Sequence, residues 1–139
     1  MRVFVLLTLG AIGLLMASSL VACGNPPDTS TTWVYDEATT MKNTGEEQRA
    51  AAKRHLQGFG LTLVFDGKGH FAMTVVGGPS PGQYTGSAKS AYEGMRIKVE
   101  TIDGKQAVGD AAGEITLRQA SPARLEYNVG GITAQLIRK

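Results

Sequence analysis

Few side chains in this sequence have the type and spacing that chemistry needs. The single cysteine, Cys23, can act as a nucleophile, a metal ligand or the attachment point of a thioether. Standing alone, it cannot form an intramolecular disulfide. The two histidines, His55 and His70, are set at no spacing with carboxylates that supplies the three or four convergent ligands of a metal site, so no metal is expected. Glu46 and Glu47 belong to a helix start, and Asp66 and Asp103 to turns. No serine reads as a nucleophile on an elbow with a base in reach, and Ser87 falls in a strand, facing outward. The glycines sit at turns and do not open a helix as a phosphate loop does. The expectation is a protein that is not an enzyme and carries no cofactor. What remains is the pair Tyr84 and Tyr127, whose hydroxyls need partners if buried.

The flanks of Cys23 say what its thiol is for. A basic start at Arg2 leads into an apolar run from Val3 to Ala17, shorter than the about 20 residues of a membrane helix. It reads as the hydrophobic region of a signal peptide. Leu20-Val21-Ala22-Cys23 then resembles the lipobox of bacterial lipoproteins at all four positions. That resemblance implies a diacylglyceryl group on the Cys23 sulfur, cleavage before Cys23, and a membrane as the first partner. Each buried methylene adds about 0.8 kcal/mol, so two or three chains hold where one does not. Gly24 stands where an aspartate favours retention in the inner membrane, which points to the outer membrane, facing the periplasm, if the source is Gram-negative.

The expected organisation is a signal peptide over 1–22, a lipidated cysteine and flexible tether over 23–32, and one domain over 33–139. Loss of Arg2 with the signal leaves 13 basic residues, from 14, against 12 acidic ones. They are spread without a basic block, so nucleic acid is not an expected partner.

Within the domain one helix is signalled between Glu46 and Gln57. Thr44 and Glu47 have the spacing of a reciprocal cap, basic residues gather at Lys53, Arg54 and His55, and Gly58 stops the run. From Leu61 onward the apolar period drops to two, the mark of half-buried strands. Leu61, Leu63 and Phe65 turn through Asp66-Gly67-Lys68-Gly69 into Phe71, Met73 and Val75. Strands around Tyr84 to Ala88 and Met95 to Val99 follow, and Asp103-Gly104 predicts a type I′ hairpin into Gln106 to Val108. Ile115 and Leu117, Leu125 to Val129, and Ile132 to Leu136 complete the series. With a first strand over Trp33 to Asp36 the total is eight, or nine if Gly109 to Gly113 is a true turn.

Short strands joined by tight turns favour an up-and-down antiparallel meander, and closure into a barrel removes its edges. The fold class expected is therefore mainly β, an eight-stranded barrel with one helix between the first and second strands. The pattern resembles the lipocalin-like domains of small bacterial lipoproteins. Trp33 beside Asp36, the helical insertion, the run Leu63 to Phe71 with its Asp-Gly turn, the Gly82-Gln83-Tyr84 step and the terminal Arg138-Lys139 carry the likeness. Thr31 replaces the glycine that precedes the tryptophan in typical lipocalins.

An eight-stranded interior is either filled by side chains or holds one small ligand. Phe65, Phe71, Met73, Met95, Ile97, Leu117, Leu125, Tyr127 and Leu136 are expected to point inward and argue for filling, whereas Gly86, Ala88 and Ala134 leave room. Two functions stay open. By the resemblance the barrel binds a small apolar or amphipathic molecule in an internal cavity lined by Tyr84, Met73, Met95 and Tyr127. Alternatively it is a packed interaction module for another envelope protein, with an apolar patch near Val75 to Pro81 or beside the helix.

Overall fold

The structure, a computed structural model, describes residues 30–139. The signal segment, Cys23 and most of the expected tether lie outside the described residues.

Alternating burial builds nine strands. They are β1 (Thr31–Tyr35), β2 (Gly60–Phe65), β3 (His70–Val76), β4 (Gly82–Ala91), β5 (Gly94–Ile102), β6 (Lys105–Gln106), β7 (Glu114–Ser121), β8 (Arg124–Val129) and β9 (Ile132–Arg138). β3 shows the physics most plainly: Phe71, Met73 and Val75 are buried and the residues between them exposed, as a period of two dictates for a strand with one dry face. All pairings are antiparallel, each long strand lies beside its sequence neighbours, β1 pairs with β9, and β4 pairs with β5. The chain is thus a closed eight-stranded up-and-down barrel. β6 is a two-residue return on β5 outside the ring.

That short return settles the open count. Asp103 and Gly104 take φ values of +52° and +80°, as a type I′ turn demands, but the hairpin stops at Gln106. Val108 is 74% exposed instead of paired, and Gly109–Ala112 forms a 3-10 turn into β7. β1 also begins two residues before Trp33, so Thr31 and Thr32 belong to the sheet and not to a tether.

The helical insertion falls where expected but consists of two helices, α1 (Glu37–Asn43) and α2 (Glu46–His55). Asp36 caps α1 by accepting the Thr39 amide at 3.3 Å. The expected Thr44–Glu47 reciprocal cap does not form. Thr44 ends α1, its hydroxyl donates to the Thr40 carbonyl at 2.7 Å, and Gly45 starts α2 without a side-chain bond. A hydroxyl already spent on the preceding helix cannot reach forward, so α2 relies on Ala52 and Leu56 packing against the barrel.

Leu63, Phe65, Met73, Ile97, Leu117, Leu125 and Leu136 are fully buried side chains of the interior. Each contributes about 1.5–3 kcal/mol by leaving water, which is what holds a domain that has no disulfide. Trp33 is buried among them, and the Tyr35 and Phe59 rings meet edge to face at 4.9 Å at the helix-bearing end. Strand alternation gives the barrel two ends. The helix end holds the turn after β3, the Asp103-Gly104 turn, Gly130-Gly131 and both helices; the N-terminal end holds Thr31, the Asp66–Gly69 turn, Tyr92-Glu93, the turn at Pro122 and the C-terminus.

Candidate functional site

With the interior filled by large side chains, the candidate site moves from the barrel centre to its rim. A cavity of about 150 Å³ opens at the helix end between the turn after β3 and the end of β8, lined by Phe59, Val75, Pro79, Ser80, Tyr127, Asn128, Val129 and Gly130. β7 and β8 pair from Arg118–Glu126 toward Ser121–Arg124, and no partnership is formed between Glu114–Leu117 and Tyr127–Val129. Beyond that point β8 leans on β9 alone, leaving the rim beside Tyr127 loosely laced.

Tyr84 and Tyr127 approach each other at this rim. Burial raises the Tyr127 hydroxyl above its ordinary titration range, and the neighbouring Tyr84 adds to the rise. Burial does the same to Tyr84, with Asp103 as a smaller cause. Tyr84 donates to the Ser80 carbonyl at 2.7 Å and so fixes the loop that forms one wall. The half-buried Tyr127 hydroxyl forms no hydrogen bond among the described residues, and it edges a cavity whose lining is part polar, at Ser80 and Asn128, and part apolar, at Phe59, Val75 and Val129. Met73 sits beneath, fully buried, as the cross-strand partner of Tyr84.

Of the four candidate residues, only Tyr127 lines the cavity, while Tyr84 holds its wall through Ser80 and Met73 lies behind Tyr84 in the sheet. Met95 does not join them. It pairs with Leu117 near the N-terminal end, where its sulfur lies 3.8 Å from the Ser90 hydroxyl. A strand of β5's length places Met95 and Val99 at opposite ends of the same dry face, and the period of two says nothing about that separation. Cys23 lies outside the described residues.

Other features have local roles. His70 Nδ1 lies 3.0 Å from Asp66 Oδ2 in the β2–β3 turn, and Asp66 also accepts the Lys68 and His70 amides. Those bonds, the Lys68 amide first, hold the Asp66 carboxyl below its usual range. The His55 ring lies against Gly130, where a Cβ would come within 2.4 Å of Nε2 and the ring would have to move aside. Among the described residues no group of three or more His, Cys, Asp or Glu could hold a metal ion.

One serine pattern escapes a reading by periodicity. Gly78-Pro79-Ser80-Pro81-Gly82 has Gly-x-Ser-x-Gly spacing, but it lies in a strand-to-strand loop and not on a strand-to-helix elbow. Among the described residues no histidine bonds to the Ser80 hydroxyl. Its contribution to the rim is the backbone carbonyl that Tyr84 grips.

The remaining clefts are on the outer wall. One of about 120 Å³ is lined by Ser87, Lys89, Arg96, Lys98 and Glu114 among others, and one of about 230 Å³ lies over the Arg118–Glu126 ion pair at 2.7 Å. The first reaches the core at Ala88 and Ile97, and the second touches no core residue.

Fold and site together define a closed eight-stranded antiparallel barrel, consistent with a lipocalin-like fold, with a small tyrosine-edged cavity at the helix end. No protein-family model matches the chain, and no curated protein or solved structure matches it.

Proposed function

We propose that the chain is a non-enzymatic bacterial lipoprotein, anchored in the cell envelope through acylated Cys23, whose barrel holds a small apolar or amphipathic molecule at the helix-end rim. The Leu20-Val21-Ala22-Cys23 sequence supports the anchor. The rim reading is carried by Tyr127 at the edge of a cavity of about 150 Å³ with both polar and apolar lining, a volume that suits one ring or one end of a longer amphipathic molecule.

Native mass spectrometry of the protein released from membranes tests this. A small molecule retained by the parent chain and lost from Tyr127→Phe is the expected result; a chain that carries no adduct at any mild activation energy contradicts it.

A second reading has its own observation. The interior is packed, and Val76 and Val108 are 60% and 74% exposed at the same end as the cavity. That combination suits an interaction module whose helix end meets another envelope protein. Crosslinking in cells from position 76 or 108 then yields one defined protein adduct, and recovery of none above background removes this reading.

A further inference from the structure

Basic side chains gather at one end of the barrel. At the N-terminal end Lys68, Lys89, Arg124, Arg138 and Lys139 have no acidic partner among the described residues, while Arg96 and Arg118 are taken up by Glu93 and Glu126. Asp66, the other acid of that group, is bonded within its own turn. The opposite end is close to balanced, with Asp36, Glu37, Glu46, Glu47, Asp103 and Asp110 set against Lys42, Arg49, Lys53, Arg54 and Lys105. The sequence hides this gathering, because basic residues from four separate turns and termini converge only when the meander closes.

Two further observations lie on the same end. Tyr92, at the tip of the β4–β5 turn, is fully exposed at 103%, where no neighbour accounts for an aromatic ring. The chain also enters the barrel there: Lys139 donates its amide to the Thr32 carbonyl at 2.9 Å, so the basic C-terminus lies beside the first strand. From Cys23 to Thr31 the chain spans at most about 28 Å when fully extended.

We infer that the N-terminal end of the barrel is a membrane-docking face, on which Lys68, Lys89, Arg124, Arg138 and Lys139 meet anionic phospholipid headgroups and Tyr92 inserts its ring at the interface. This rests on Cys23 being the anchor, since the short reach then keeps this end against the lipid surface. Clustered Lys and Arg are drawn to the negative potential of such a surface, and tyrosine favours the headgroup layer. Docking in this orientation turns the helix end, with its cavity, away from the bilayer.

The test uses the full lipidated chain with Tyr92→Cys carrying a nitroxide, reconstituted in vesicles of phosphatidylglycerol with phosphatidylcholine or of phosphatidylcholine alone. In anionic vesicles the label's accessibility to a water-soluble relaxant falls at least about threefold, and the protection disappears at about 0.5 M salt. Reversing Lys68, Lys89 and Lys139 to Glu abolishes it, whereas reversing Lys42, Lys53 and Lys105 at the far end does not. Equal accessibility in both vesicle types, or equal protection in both, overturns the proposal, as does equal sensitivity to the two sets of reversals. Failure of the anchor reads differently: an unacylated Cys23 takes a second label, visible in the intact mass, and the position 92 label then reports binding from solution.

Discussion

The buried Thr40 hydroxyl accepts the backbone amide of Gln135 at 2.9 Å while donating to the Asp36 carbonyl at 2.8 Å, and through this pair α1 is fastened to the outer side of β9. The same strand returns a bond, since the Asp36 amide donates to the Gln135 carbonyl. Both residues are fully or almost fully buried, so neither can exchange its partner for water. Thr40→Val keeps the shape but leaves the Gln135 amide without its partner, while the Asp36 carbonyl keeps the Thr40 amide. A loss of about 1–3 kcal/mol is expected, read as a lower urea midpoint with unchanged slope. An unchanged midpoint would show that α1 is not held by this bond.

β4 and β5 approach most closely at Gly86, beside a break in their register. A Cβ there would lie 1.9 Å from the Lys98 carbonyl oxygen, which belongs to backbone and cannot swing aside. Gly86→Ala is expected to cost at least about 3 kcal/mol, by forcing two ring strands apart. Gly104→Ala meets open space and only the strain of φ +80°, about 1–2 kcal/mol. Thermal unfolding of the two variants side by side checks the order, and equal melting temperatures contradict it.

Burial raises Tyr35, Tyr84 and Tyr127 above the ordinary 10.0. A raised folded value means that the folded state holds the proton more tightly than the unfolded one, so this stability is complete below pH about 10 and is lost as pH climbs through the folded values. Stability is therefore expected to decline in alkali, with Tyr127→Phe declining less steeply. Denaturant midpoints from pH 8 to 11.5 measure it. A steeper decline in the variant, or none in the parent, contradicts the environment described for Tyr127.

The dry face was legible because it is a matter of period: Phe65, Phe71, Met73, Met95, Ile97, Leu117, Leu125 and Leu136 all point inward as alternation requires. Tyr127 is less enclosed, because β8 loses its β7 partner just where that residue sits. Closure itself followed from the wish to bury strand edges. What periodicity leaves out is position along the axis, so Met95 could not be separated from Tyr84 and Tyr127. Nor could the gathering of bases be seen, since residues 68, 89, 124 and 139 share an end only through the topology. Thr44 misled for a local reason, a capping hydroxyl claimed by the helix behind it.

Everything said of address and orientation depends on what becomes of the Cys23 sulfur, and the intact mass of the protein extracted from membranes reads this directly. The expected mass is that of a chain lacking residues 1–22 and carrying diacylglyceryl on Cys23, with or without an amide-linked acyl chain. A chain that retains residues 1–22 with a free thiol at Cys23 would contradict the anchor and, with it, the orientation of the barrel on the membrane.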